Sequence, residues 1–118
     1  MSETPPVTST SLELWQTEWC PASHRVRQRL TELGITYTMH QVPVRSDART
    51  ELQAATGHTT IPVLLAGGES IAGEAAILFY LTERFTEPAE AAEQRAKAAI
   101  AKRKELEQAC PQLTAATA

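Results

Sequence analysis

Apolar and polar residues alternate over Leu12-Glu-Leu-Trp-Gln, the period of a short strand with one buried face. The period then lengthens. Between Pro21 and Leu33, the residues Val26, Leu30 and Leu33 recur on one side of a helix, and Gly34 follows as its left-handed stop. Alternation resumes over Ile35-Thr-Tyr-Thr-Met, which predicts a second strand ending before Pro43. Asp47 to Thr56 is predicted as a helix with Ala48, Leu52 and Ala55 inward, stopped at Gly57. Pro62-Val-Leu-Leu reads as a third strand, Ala66-Gly-Gly-Glu as a turn, and Ser70-Ile-Ala as a short fourth strand. A helix from Gly73 to Phe85 places Ile77, Leu81 and Phe85 together, and Pro88, as a first-turn proline, opens a last helix to about Ala109.

The order β-α-β-α-β-β-α describes an α/β unit in which helices cover a four-stranded sheet. The strand-helix-strand start implies a parallel pair and the turn after Leu65 an antiparallel one, so the sheet is expected to be mixed. Composition marks the boundaries of this unit. All six aromatic residues lie between Trp15 and Phe85, whereas all three lysines and eleven of the alanines lie beyond. Residues 11–86 are therefore read as one domain, 87–118 as an Ala-rich C-terminal helix and tail, and the Pro-, Thr- and Ser-rich residues 1–10 as a disordered leader. In the tail, Ala92, Ala96, Ala99, Arg103, Leu106, Cys110 and Leu113 form a heptad-like seam. Packing of that seam on the domain's own helices is favoured over dimerisation, so a monomer or weak homodimer is expected.

Charge and cysteine usage narrow the class. With 118 residues and a net charge of −3, the chain has the size of one domain and lacks the basic balance of a nucleic-acid or anionic-membrane binder. No apolar run approaches the ~20 residues of a membrane span. The N-terminus has no signal-peptide pattern, and two cysteines are too few for a secreted disulfide scaffold. A cytoplasmic protein is expected. His24, His40 and His58 are far apart and give no metal-ligand spacing, and Gly67-Gly68 alone reads as a hairpin turn rather than a phosphate loop.

One thiol stands in a chemically informative place. Cys20 lies where the first strand ends and the first helix begins, a point at which outward N–H groups and the helix dipole favour a thiolate. Pro21 at the first helical position loses no hydrogen bond and fixes the entry geometry. A buried, inert cysteine is the alternative reading of Cys20 alone.

Cys20-Pro-Ala-Ser-His-Arg-Val-Arg, with Leu33-Gly-Ile-Thr-Tyr beyond it, resembles the N-terminal thioredoxin-like domain of cysteine-type glutathione transferases and is similar to glutaredoxins with a Cys-Pro-x-Ser site. Thr60-Ile-Pro-Val-Leu matches the segment that carries the cis-proline of this superfamily. Gly73-Glu-Ala-Ala-Ile-Leu-Phe-Tyr-Leu is similar to a helix start of the transferases. The likeness covers roughly Leu12 to Phe85, and the transferases' helical second domain has no counterpart beyond the tail helix. It implies a thioredoxin-like fold in which Cys20 is the nucleophile and Trp19 and Pro21 flank it. Ile61 would pair its backbone with a small thiol such as glutathione, and Pro62 would shape the groove. Ser23 stands where a dithiol site has its second cysteine, so a mixed disulfide on Cys20 would be resolved by a thiol from solution.

Two places depart from the family pattern. The lysine that glutaredoxins carry before the nucleophile is absent from Gln16-Thr-Glu-Trp, and Glu18 there is expected to raise the thiol's pKa. Arg25 and Arg27, expected mostly on the outer helix face, are the available cations. Secondly, the acid-or-amide and serine pair that holds the γ-glutamyl carboxylate in the transferases becomes Gly73-Glu74. Glu74 would occupy that anion site, meet a ligand's amino group, or simply cap the helix. Thiols other than glutathione therefore stay open.

These residues imply a monothiol thiol–disulfide oxidoreductase that uses glutathione or another low-molecular-weight thiol on thiolated protein substrates, with no metal in the site. The alternatives are a non-enzymatic iron–sulfur carrier, built by a dimer with one Cys20 from each protomer, and a redox-inactive thioredoxin-like binding module.

Overall fold

Leucines that alternate along the first strand and recur along two helices meet in one core. The computed structural model describes residues 11–117, with side chains as far as residue 108; the predicted leader and the side chain of Cys110 lie outside the described residues. The order is β1 (Leu12–Gln16), α1 (Pro21–Glu32), β2 (Thr38–Gln41), a 3-10 turn (Ser46–Ala48), α2 (Thr50–Thr56), β3 (Val63–Ala66), β4 (Glu69–Ala72), α3 (Glu74–Arg84) and α4 (Ala91–Thr117).

The sheet is mixed, as expected, with strand order β2-β1-β3-β4. β1 runs parallel to β2 and antiparallel to β3, and β3 is antiparallel to β4. Alternation along β1 separates the two faces. Leu12 and Leu14 join Val26, Leu30 and Leu33 of the α1 segment, Ile77 and Leu81 of α3, Leu64 and Ile71 in the larger core. Trp15 points to the opposite face and packs with Val42, Leu52 and Val63 under α2. Gly34 ends the α1 segment at φ 70° and Gly57 ends α2 at φ 83°, both in the left-handed region that costs glycine least.

Four expectations need correction. The second strand starts at Thr38 rather than Ile35, because its parallel pairing with β1 opens at Glu13 opposite Thr38. The helix predicted over Asp47–Thr56 is split at Arg49 (φ −90°, ψ 56°). Ala48 and Ala55 are exposed there, while Arg49, Leu52 and Thr56 take the inward positions. Arg49 is admitted because its guanidinium donates to three carbonyls, Pro43 O (2.8 Å), Val44 O (2.9 Å) and Thr59 O (2.8 Å). The last helix begins at Ala91 and continues to Thr117, with Pro88 in the preceding turn, where its carbonyl accepts from Ala91 N.

The fourth correction concerns the heptad-like seam. Ala92, Ala96, Ala99, Arg103 and Leu106 are exposed, and α4 is docked on α1 by Ala91, which is buried, and by Arg95. Arg95 bonds Glu32 of α1 (2.8 Å) and Glu87 of the preceding loop (2.9 Å), and Arg29 bonds the same two carboxylates (2.9 and 2.7 Å). Charge, rather than an apolar seam, fixes the start of this helix.

Candidate functional site

β1 and β2 end, and β3 begins, at one end of the sheet. Extending the β1–β3 register by one residue puts Pro62 level with Gln16, at the end of β1 that leads to Cys20. Extending the β3–β4 register puts Pro62 beside Gly73, and Gly73 N donates to Pro62 O at 2.9 Å. The topology thus carries Cys20, Ile61-Pro62 and the start of α3 to the same end of the sheet. The Ile61–Pro62 peptide is cis.

Cys20 is the N-cap residue of α1, with extended backbone (φ −83°, ψ 118°) and Pro21 next. Its Sγ accepts from Ser23 N at 3.4 Å, so the thiol does the work that a serine or aspartate oxygen does at other helix starts. Ser23 is fully buried, and its hydroxyl has no hydrogen-bond partner among the described residues. Burial pushes the Cys20 thiol up. The opposing effects are larger in sum: the Ser23 hydroxyl, the N–H groups of Ser23 and Ala22, and the Arg25 charge hold it below the ordinary thiol value. The hydroxyl belongs to the residue whose own N–H bonds that sulfur.

The expected upward push from Glu18 is absent. Glu18 is almost fully exposed and pairs with Arg27 at 3.3 Å, so its charge is spent on a cation and on water. Arg27 itself folds inward over the end of β1. Its guanidinium bonds Gln16 Oε1 and Thr17 O, and it is not the outer-face residue that the sequence suggests.

Trp19 is 60% exposed beside the thiol, and Pro21 is exposed at the first turn. Ile61 is half-buried against the smaller core, and Pro62 is buried. Gly73 caps α3 at φ 95° without a side-chain hydrogen bond, and Glu74 is the first residue of that helix. Both oxygens of Glu74 are held by Arg25: Nε to Oε2 at 2.5 Å and Nη2 to Oε1 at 2.9 Å. This pair, together with the Arg49 clamp on Thr59 O, is what the sequence did not disclose. The only signal for Arg25 was its place one turn beyond Pro21; the partner is forty-nine residues away.

Residues 12–71 match the sequence profile of the Glutaredoxin family. The chain belongs to the glutaredoxin family. Solved structures agree on the thioredoxin-like fold that glutaredoxins share with glutathione transferase N-terminal domains. A diazinon-metabolizing glutathione S-transferase of the silkworm Bombyx mori is 25% identical, with a TM-score of 0.56 over 63% of this chain and 37% of that one. A glutathione S-transferase domain-containing protein of Marinobacter aquaeolei VT8 is 32% identical, with a TM-score of 0.55 over 65% of this chain and 40% of that one. Rice GST1, solved in complex with glutathione, is 27% identical, with a TM-score of 0.57 over 76% of this chain and 44% of that one. This glutaredoxin-family chain therefore spans about two fifths of the length of these three solved chains. No curated protein matches it.

Proposed function

We propose that this glutaredoxin-family protein exchanges thiols and disulfides through Cys20 by a monothiol route, with glutathione or a similar small thiol as co-substrate. The observation that carries the reading is an accessible N-cap thiol, held toward its thiolate, next to a buried Ser23 hydroxyl that has no hydrogen-bond partner among the described residues. The Cys20 thiolate attacks the small-thiol sulfur of a mixed disulfide. A bond forms between that sulfur and Sγ, the old S–S bond breaks, and the protein substrate leaves as a thiolate with the electron pair. A second small thiol then attacks the small-thiol sulfur of the adduct, releases the symmetric disulfide and restores Cys20. Ser23 takes no covalent part; it donates to the thiolate.

Ile61, immediately before the buried Pro62, supplies the edge along which an extended tripeptide would lie, and Trp19 the apolar wall next to the thiol. The small-thiol pool this cycle consumes fits a reducing compartment such as the cytoplasm, and a single copy of the chain carries every residue the cycle uses. Release of glutathione from a glutathionylated peptide, with reduced glutathione in excess, tests the reading. Wild type and Cys110→Ser should turn over, and Cys20→Ser should fall to the uncatalysed rate. Full activity in Cys20→Ser would sink it.

A further inference from the structure

We infer that Glu74 is a selectivity residue of the Cys20 site, setting it against disulfides that carry carboxylates and in favour of neutral or cationic ones. The inference rests on the reading of Cys20 as the exchanging thiol. Two positive features lie at the same end of the sheet as that thiol, and one carboxylate engages both. The first is the Arg25 guanidinium, gripped by both Glu74 oxygens at 2.5 and 2.9 Å. The second is the start of α3, an eleven-residue helix whose first residue is Glu74 itself.

The other nearby guanidinium is also committed, since Arg27 is bonded to Gln16 Oε1, Thr17 O and Glu18. Within the pair, Glu74 is the better fixed partner, with its side chain 26% exposed against 57% for Arg25. Gly73, the preceding cap, brings no side chain with which to hold a ligand. An incoming carboxylate must displace Glu74 from Arg25 or lie beside it as a like charge. A hydroxyl or an ammonium group meets no such opposition, and an ammonium group gains from the carboxylate. The exposed Trp19 next to the thiol is compatible with all three and does not discriminate by charge.

Three small disulfides separate charge from reactivity: cystamine (cationic), hydroxyethyl disulfide (neutral) and glutathione disulfide (anionic). Reduced full-length protein carrying Cys110→Ser, so that one thiol remains, is mixed with each, and adduct formation is timed by intact mass. In each case an Sγ–S bond forms, the probe's S–S bond breaks, and half the probe departs as a thiolate. Cys20 is thereby oxidised to the mixed disulfide, and the probe is the oxidant.

The readout is the glutathione disulfide rate divided by the cystamine rate, a ratio in which changes in the thiol's own nucleophilicity cancel. Glu74→Gln, which keeps the shape and removes the charge, should raise the ratio about tenfold at low salt, and the rise should shrink at high salt. Arg25→Gln, which leaves Glu74 unpaired, should lower it and decides the matter if circular dichroism shows Glu74→Gln unfolded. A ratio unmoved in the folded variants, with Cys20 still forming adducts, overturns the selectivity role and leaves the exchange reading standing. Failure of Cys20 in otherwise wild-type sequence to react with any of the three overturns the exchange reading, and the selectivity role with it.

Discussion

Cys20 caps α1 through its sulfur, with Ser23 N at 3.4 Å, and a thiolate is the better acceptor for that bond. A thiol held below its ordinary value contributes stability that is present above that value and lost as pH falls through the folded one. Alkylation of Cys20 by iodoacetamide should therefore rise with pH about a midpoint below that of an unperturbed thiol. Ser23→Ala, which removes the hydroxyl, should move the midpoint upward; an unmoved midpoint would deny the hydroxyl its role. The placement of Cys20, Pro21 and Ser23 was legible in the sequence because a helix start is a local feature. The charge balance was not. Whether Glu18 or Arg25 governs the thiol depends on which partner each side chain finds, and Glu18 found Arg27 while Arg25 found Glu74.

The elements themselves were legible where an apolar period recorded burial. α1 and α3 follow Val26-Leu30-Leu33 and Ile77-Leu81, all buried. Legibility failed where a polar residue took an inward position. Arg49 splits its predicted helix because three carbonyls solvate it from the protein side, and no apolar count anticipates that. Arg49→Met should leave those carbonyls without their donor and destabilise the fold by about 2–4 kcal/mol, measured by urea unfolding. A loss within ~0.5 kcal/mol, the range of an ordinary surface change, would show that the clamp is dispensable. The start of α4 poses the matching question. Glu87 is held down to about 2 by side-chain hydrogen bonds from Arg95 and Arg29, and Glu32, which burial raises, is held below the usual carboxylate value by Gln28, Arg29 and Arg95. This docking energy is present above the ordinary carboxylate value and is lost as pH falls toward about 2. Helical signal from α4 should fray, or its contact with α1 open, between those limits before the sheet unfolds. Coincident loss of both would contradict independent docking by charge.

At the scale of the molecule, one four-stranded sheet with helices on both faces brings three sequence-distant segments to one end: Cys20, Ile61-Pro62 and Gly73-Glu74. The order of strands and helices was legible because each connection leaves its turn residues in the sequence. The tail was less so. Its seam spacing was regular, yet Ile100 and Leu106 lie exposed and the docking is ionic. Stability should rest on the larger core, so that Leu30→Ala or Ile77→Ala costs about 2–5 kcal/mol in chemical denaturation. No described helix is long and apolar enough to cross a membrane. What joins the fold to the proposed chemistry is the N-cap thiol, and its most direct test is the intact mass of the reduced protein after incubation with oxidised glutathione. Cys20 should gain one glutathionyl group, reversible by excess thiol, and Cys20→Ser should gain none there. A Cys20 left unmodified by oxidised glutathione and by cystamine alike, or an adduct confined to Cys110, would contradict the account.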